Sequence, residues 1–195
     1  MEIKLPKLIG AMGNDCVVAC VTMICMYWRR SKGNLAWNLP QDFESKKWRD
    51  FYQKGLSYVR MSGMPHNIIK RFLRKLNLPL FAKLELLEDA YGLRNLINSN
   101  IPPIVLYDHT YFLKNIRGPA HSVVLVDQTE ELFVSINPSM EPKFYYKLPK
   151  SDFKESWKLN HNAAIIIYPK TYRVEEIKVP TKTLLAYIPK EEGIV

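Results

Sequence analysis

The stretch GNDCVVACVTMICMYW, residues 13–28, decides how the chain reads, and it holds all three cysteines. A Gly-Asn-Asp turn runs straight into an apolar segment whose first residue is Cys16. Asn14 or Asp15 can cap a helix, and residues 16–30 have helical length and apolar content. Cys16 therefore falls at a helix start, with Cys20 one turn further in and Cys25 deeper still. A thiol in that place can be a nucleophile, a metal ligand or a small core residue. As thiolate it is the reactive form, and a helix N-terminus favours it through the helix dipole and unpaired N–H groups. The same N–H groups can hold an oxyanion. Cys20 and Cys25 are expected inside the packed helix as small hydrophobes.

Bulk properties narrow the class. A chain of 195 residues, 47% hydrophobic and 12% aromatic, can build one core without disulfides or metal. Three cysteines crowded into one segment do not make a disulfide framework, so free thiols and a cytoplasmic setting are expected. The longest apolar run, CVVACVTMICMYW, has 13 residues, short of the roughly 20 that a bilayer requires. No membrane span and no signal peptide are expected. The net charge of +9 admits an anionic partner. The basic residues are scattered, with no stripe that joins them to stacking aromatics, so nucleic acid is not the expected partner. Nothing in the sequence sets the oligomeric state.

Outward from the first helix, the chain changes period half-way. Residues 42–54 read as a short helix. PHNIIKRFLRKLNL, 65–78, is amphipathic, with Ile68, Ile69, Phe72, Leu73 and Leu76 on one face and Lys70, Arg71, Arg74 and Lys75 mostly opposite. PLFAKLE reads as a strand and LEDAYGLRNLINSN as a helix ending near Asn98–Asn100. Then come PIVLYD, HSVVLVD, LFVSIN, KFYYKL and AAIIIYP, short β-branched and aromatic runs between turn signals. SDFKESW reads as one or two helical turns capped by Ser151. Helices first and strands later predict an α+β domain, a helical half packed on an antiparallel sheet. Residues 170–195 are set apart as a C-terminal extension, read as a closing hairpin.

The histidines are His66, His109, His121 and His161. None is spaced as a zinc helix requires and no CxxC exists, so no metal and no cofactor are expected. His121 opens one strand, and Asn137 closes the next before Pro138. With the hairpin loop centred on Thr129, Val126 faces Leu132, Val124 faces Val134 and His121 faces Asn137. Directly opposed residues share a face. An amide oxygen could then hold the ring N–H and fix its tautomer, the orienting role in a Cys-His-Asn triad. A slip of one residue would part them.

At these residues the chain resembles a family. NDCVVACVTMI is similar to the DCG-ACL-MI motif of the bacteriocin-processing peptidases. These are papain-like cysteine proteases that cut double-glycine leader peptides, often as a domain of an ABC transporter. The resemblance continues through residues 62–108 to the family's PxIVLxD strand. It goes on through GPAHSVVLVDQTEELFVSINPS to its catalytic hairpin and through KLPKSDFKESW and AAIIIYP to its closing segment. It covers about residues 1–169. It implies a papain-like fold, with Cys16 as nucleophile, His121 as base and Asn137 as orienter. Two positions depart. The family's oxyanion glutamine, six residues before the cysteine, is Gly10, and the glycine after the cysteine is Val17. Asn14 is the candidate replacement donor, beside the Cys16 backbone N–H. Losing one such donor costs about 10²–10³ in turnover.

The expected activity is thiol-dependent hydrolysis or acyl transfer at a peptide or other amide bond. The basic charge favours an acidic peptide or protein substrate through steering. These residues include no transporter segment, so a leader peptide is not expected from the resemblance alone. The rival reading is a binding module that keeps the peptidase cleft without turnover, motivated by Gly10.

Overall fold

A computed structural model describes Ile3, Leu5 and residues 15–31, 46–58, 66–138 and 145–171. Asn14, Gly10 and the proposed C-terminal hairpin beyond residue 171 lie outside the described residues. Among the described residues six strands form one antiparallel sheet: β1 (Leu80–Leu86), β2 (Ile104–Asp108), β3 (Ala120–Gln128), β4 (Leu132–Ile136), β5 (Tyr146–Pro149) and β6 (Ala163–Pro169). Their order is β1-β6-β2-β3-β4-β5. Among the described residues six helices accompany them: α1 (Cys16–Ser31), α2 (Lys46–Leu56), α3 (His66–Lys75), α4 (Ala90–Asn98), α5 (His109–Lys114) and α6 (Lys150–Lys158). The α+β architecture is the one the periodicity predicts.

Helix α1 is the centre of the molecule. Every residue from Cys16 to Trp28 is buried, as an all-round apolar helix must be. It packs on β3, β6, β2 and α2. Its one polar interior side chain, Thr22, satisfies itself by donating to the Val18 carbonyl at 2.8 Å. Trp28 ties the far end to the sheet, its Nε1–H donating to the Ile167 carbonyl at 2.7 Å. Trp157 of α6 does the same at the Ala163 carbonyl, at 2.9 Å. Both indoles end on β6, so its flanking helices are fixed by hydrogen bonds as well as by apolar area.

Helix ends follow local chemistry. Asn77, Asn100 and Asn115 have positive φ and stop α3, α4 and α5 in the left-handed conformation that asparagine tolerates. Beyond Asn100 the Ile101 N–H reaches back to the Leu96 carbonyl at 2.9 Å. Asp89 caps α4 by accepting from the Tyr91 N–H. The expected Ser151 cap is corrected. Helix α6 starts at Lys150 after Pro149, and Ser151 lies inside it, donating to Asp152. The reason is Lys150. Its N–H donates to the Glu131 carbonyl and its ammonium to Gln128 Oε1 and the Thr129 carbonyl, so the turn is set one residue earlier.

Helix α5 has no counterpart in the sequence reading, which passed from PIVLYD to the next strand. It is set by Asp108, whose Oδ1 accepts the Tyr111 N–H at 2.9 Å and whose Oδ2 accepts the Gly118 N–H at 2.7 Å. Asp108 is 1% exposed, and both of its oxygens serve backbone donors.

Helices α1 and α2 meet at Gly55. A Cβ there would lie 2.5 Å from Val18 Cγ1, a stiff β-branched side chain in the core. Gly55→Ala is expected to destabilise the fold by about 1–3 kcal/mol, read as a lowered urea midpoint with unchanged slope.

Candidate active site

Cys16 is the first residue of α1. The preceding carbonyl, of Asp15, accepts the Ala19 N–H at 3.0 Å, so Asp15 holds the N-cap position and Cys16 is N1. The Asp15 carboxylate accepts a hydrogen bond from the Tyr52 hydroxyl of α2. Tyr52 is held protonated far above the usual phenol range by burial first, and then by Asp15 and the nearby Cys16. Tyr52 thus braces α2 against the mouth of α1. Cys16 is 8% exposed. Cys20 and Cys25 are wholly buried, and burial pushes both thiols well above the ordinary value. They are the inert interior thiols that the helix position implies.

The start of α1 is joined to the start of β3. Cys20 Sγ donates to the Ser122 carbonyl at 3.5 Å. That contact sits one helical turn from Cys16 and one residue from His121. The two positions thus lie at the same end of the α1–β3 packing, on either side of a fixed point.

His121 and Asn137 meet. His121 Nε2 lies 2.9 Å from Asn137 Oδ1. An amide oxygen only accepts, so Nε2 carries the hydrogen and, in the neutral ring, Nδ1 is left as the basic nitrogen. The His121 ring is held below its ordinary value by burial, an effect the Asn137 hydrogen bond partly offsets.

The route to this contact differs from the expected one. The hairpin turn is Glu130–Glu131, not centred on Thr129. The Thr129 N–H donates to the Leu132 carbonyl at 2.9 Å, and the Leu132 N–H to Thr129 Oγ1 at 3.1 Å. Near the turn Gln128 faces Phe133 and Asp127 faces Val134. Beyond it Leu125 faces Ser135 and Val124 faces Ile136, which leaves Val126 as the extra residue of a β-bulge. Extended by one pair, this register sets Asn137 opposite Val123, two residues from His121. The expected pairs Val126–Leu132 and Val124–Val134 are corrected by three residues, since Leu132 faces Thr129 and Val134 faces Asp127; beyond the bulge, where His121 and Asn137 lie, the offset is two. An even shift keeps the face, and diagonal neighbours lie within reach of long side chains. Without the bulge, Asn137 would oppose Val124 and point away from His121.

Two further side chains adjoin His121 that the sequence reading did not single out. Tyr107 is its cross-strand partner on β2, with ring centroids 6.0 Å apart. His109, first residue of α5, lies 5.5 Å from the His121 ring. The signal was the Asp108 cap, which makes His109 a helix start beside the sheet end rather than a loop residue.

Among the described residues no group of three or more His, Cys, Asp or Glu could hold a metal, and no helix is long and apolar enough to cross a membrane.

No protein-family model matches the sequence, and no curated protein is similar to it. Solved structures are similar. A double-glycine motif protease from an AMS/PCAT transporter, in complex with the leader peptide, is 18% identical with a TM-score of 0.55, over 86% of this chain and 94% of that one. A protein from Bacillus anthracis assigned as a C39-like peptidase is 14% identical with a TM-score of 0.62, over 88% of this chain and 100% of that one. The peptidase domain of Streptococcus ComA, a bi-functional ABC transporter of a quorum-sensing pathway, is 16% identical with a TM-score of 0.53, over 86% and 98%. The chain has the α+β fold of the double-glycine, C39-like peptidases. The resemblance read from the motifs is thereby matched in three dimensions, along most of the chain.

Removing the carboxamide gives a signed outcome. Because Asn137 supports the charged ring, Asn137→Ala is expected to lower the His121 titration midpoint further, as followed by the NMR shift of the ring C–H. An unchanged or raised midpoint would contradict the contact.

Proposed function

We propose that this protein is a cysteine peptidase of the papain-like type, acting on a peptide or protein through Cys16, His121 and Asn137. The observation that carries the reading is the 2.9 Å contact between His121 Nε2 and Asn137 Oδ1, because it leaves His121 Nδ1 as the open base beside the helix that starts with Cys16. His121 Nδ1 takes the thiol proton as sulfur adds to the substrate carbonyl carbon. The oxyanion is received by the Cys16 backbone N–H at the helix mouth, with Asn14 as the second donor. The protonated ring returns its proton to the leaving amine as the C–N bond breaks, which leaves a thioester. Water then adds, His121 again taking and returning a proton, and the acid departs with the thiol restored. Asn137 keeps the ring N–H engaged throughout.

The solved relative bound to a leader peptide supports a peptide as substrate class. The net charge of +9 makes an acidic peptide the preferred one by steering. A single uninterrupted domain would span about residues 1–169, with the remainder as an extension, and a cytoplasmic setting suits three free thiols.

A second reading rests on Gly10, which stands where the family has its oxyanion glutamine, and on the near-complete cover of Cys16. On it the chain grips a peptide without turning it over.

Incubation of the full chain with a mixed peptide library, read by mass spectrometry, separates the two. Turnover is expected from the native chain, none from Cys16→Ala, and kcat/KM about 10²–10⁴-fold lower from His121→Ala. Retention of peptides without cleavage by native chain and Cys16→Ala alike would favour the binding module.

A further inference from the structure

We infer that His109 and His121 titrate as one pair at this site: the two rings take up one proton between them before the pair accepts a second. The inference deepens the peptidase reading, since His121 is the base there, but the titration it predicts stands without catalysis.

The geometry is fixed from two sides. His109 Nδ1 lies 2.8 Å from the Tyr107 hydroxyl, and the Tyr107 ring meets both imidazoles edge-on, at 5.7 Å from His109 and 6.0 Å from His121. The imidazole centroids are 5.5 Å apart. Asp108 holds the intervening turn through the Tyr111 and Gly118 N–H groups, which fixes the backbone from which the His109 ring projects. Two positive charges held so close in a half-buried site repel, and the second proton is the costly one.

The neighbours do not cancel this repulsion. From β2, Tyr107 stays protonated, pushed far above the usual phenol range by burial and then by Cys20. Asp108 favours the charged form of His109, yet burial and then His121 outweigh it, and the ring sits below its ordinary value. From the end of β4, Asn137 is neutral. From α1, Cys20 is a buried neutral thiol and Cys16 is the proposed nucleophile. On α6, Asp152 and Glu155 line the cleft beside Tyr111 to Asn115. Lys114 and Arg117 are exposed and add positive charge only.

The cost falls on His109, which is lowered by burial and then by His121, whereas His121 is lowered by burial and supported by Asn137. His121 therefore takes the first proton, and His109 stays neutral while the His121 ring is charged. The sign follows from linkage. Both rings are depressed, so the folded state binds fewer protons than the unfolded chain as pH falls, and the stability this provides above the unfolded value is lost as pH drops through the folded one.

The test is an NMR titration of the ring C–H signals in the full chain, native and with His121→Phe or His121→Gln. The phenylalanine keeps the ring and its bulk, and the glutamine keeps polarity. The native His109 and His121 signals are expected to titrate in two steps, each inflecting where the other gains its proton. In both variants His109 should titrate in one step, with a midpoint higher by about half a pH unit or more. An unchanged midpoint in folded His121→Phe, or a rise in His121→Gln alone, would overturn the inference by assigning the effect to burial. If neither variant folds, the native curves decide: single-step signals refute the pairing. An inert native chain with coupled titration would sink the peptidase reading and leave this inference standing.

Discussion

The contact between the His121 ring and the Asn137 carboxamide exists because β3 carries one more residue than β4 across the bulge at Val126. Side chains alternate along a strand, so one residue decides a face. The turn-end register alone would separate the two groups. With the bulge they share a face, and the carboxamide then fixes which ring nitrogen carries the hydrogen. The tautomer and the open base at Nδ1 both descend from that one inserted residue.

The rest of the fold holds this arrangement still. Two indole N–H groups, from Trp28 and Trp157, end on carbonyls of β6. They anchor the central helix and α6 to one interior strand of the sheet. Cys20 meets the Ser122 carbonyl between the helix that starts with Cys16 and the strand that carries His121. Tyr52 braces Asp15 at the helix mouth, and Asp108 clamps the turn that presents His109. Buried polar groups of this kind cost stability when unpaired, so their pairing fixes geometry as much as it adds energy.

Much of this was legible in the residues, for particular reasons. Cys16 at N1 followed from a turn ahead of an unbroken apolar run. Helix α3, His66–Lys75, falls inside the amphipathic run expected over 65–78 but stops three residues short of it, and α4 ends at Asn98, within the expected Asn98–Asn100. His121 and Asn137 were paired by counting along a hairpin. That count was two residues off, and the pair survived only because the error was even. The bulge had no signature in a strand as uniformly apolar as SVVLV, where both faces are buried and alternation is lost. Helix α5 is only 6 residues long, and its cap residue Asp108 also ends a strand, so periodicity could not reveal it. His109 and Tyr107 were missed with it. Ser151 was misread because a distant lysine contact, not local capping, sets the start of α6.

The central claim is that Cys16 and His121 act as one chemical unit. The most direct measurement is the second-order rate of iodoacetamide alkylation at Cys16 near pH 6.5, in the native chain and in His121→Ala, located by mass spectrometry. The account predicts that the native thiol reacts far faster than Cys20 or Cys25, and that the His121→Ala change slows it by about tenfold or more. A rate at Cys16 that is indifferent to His121 would contradict it.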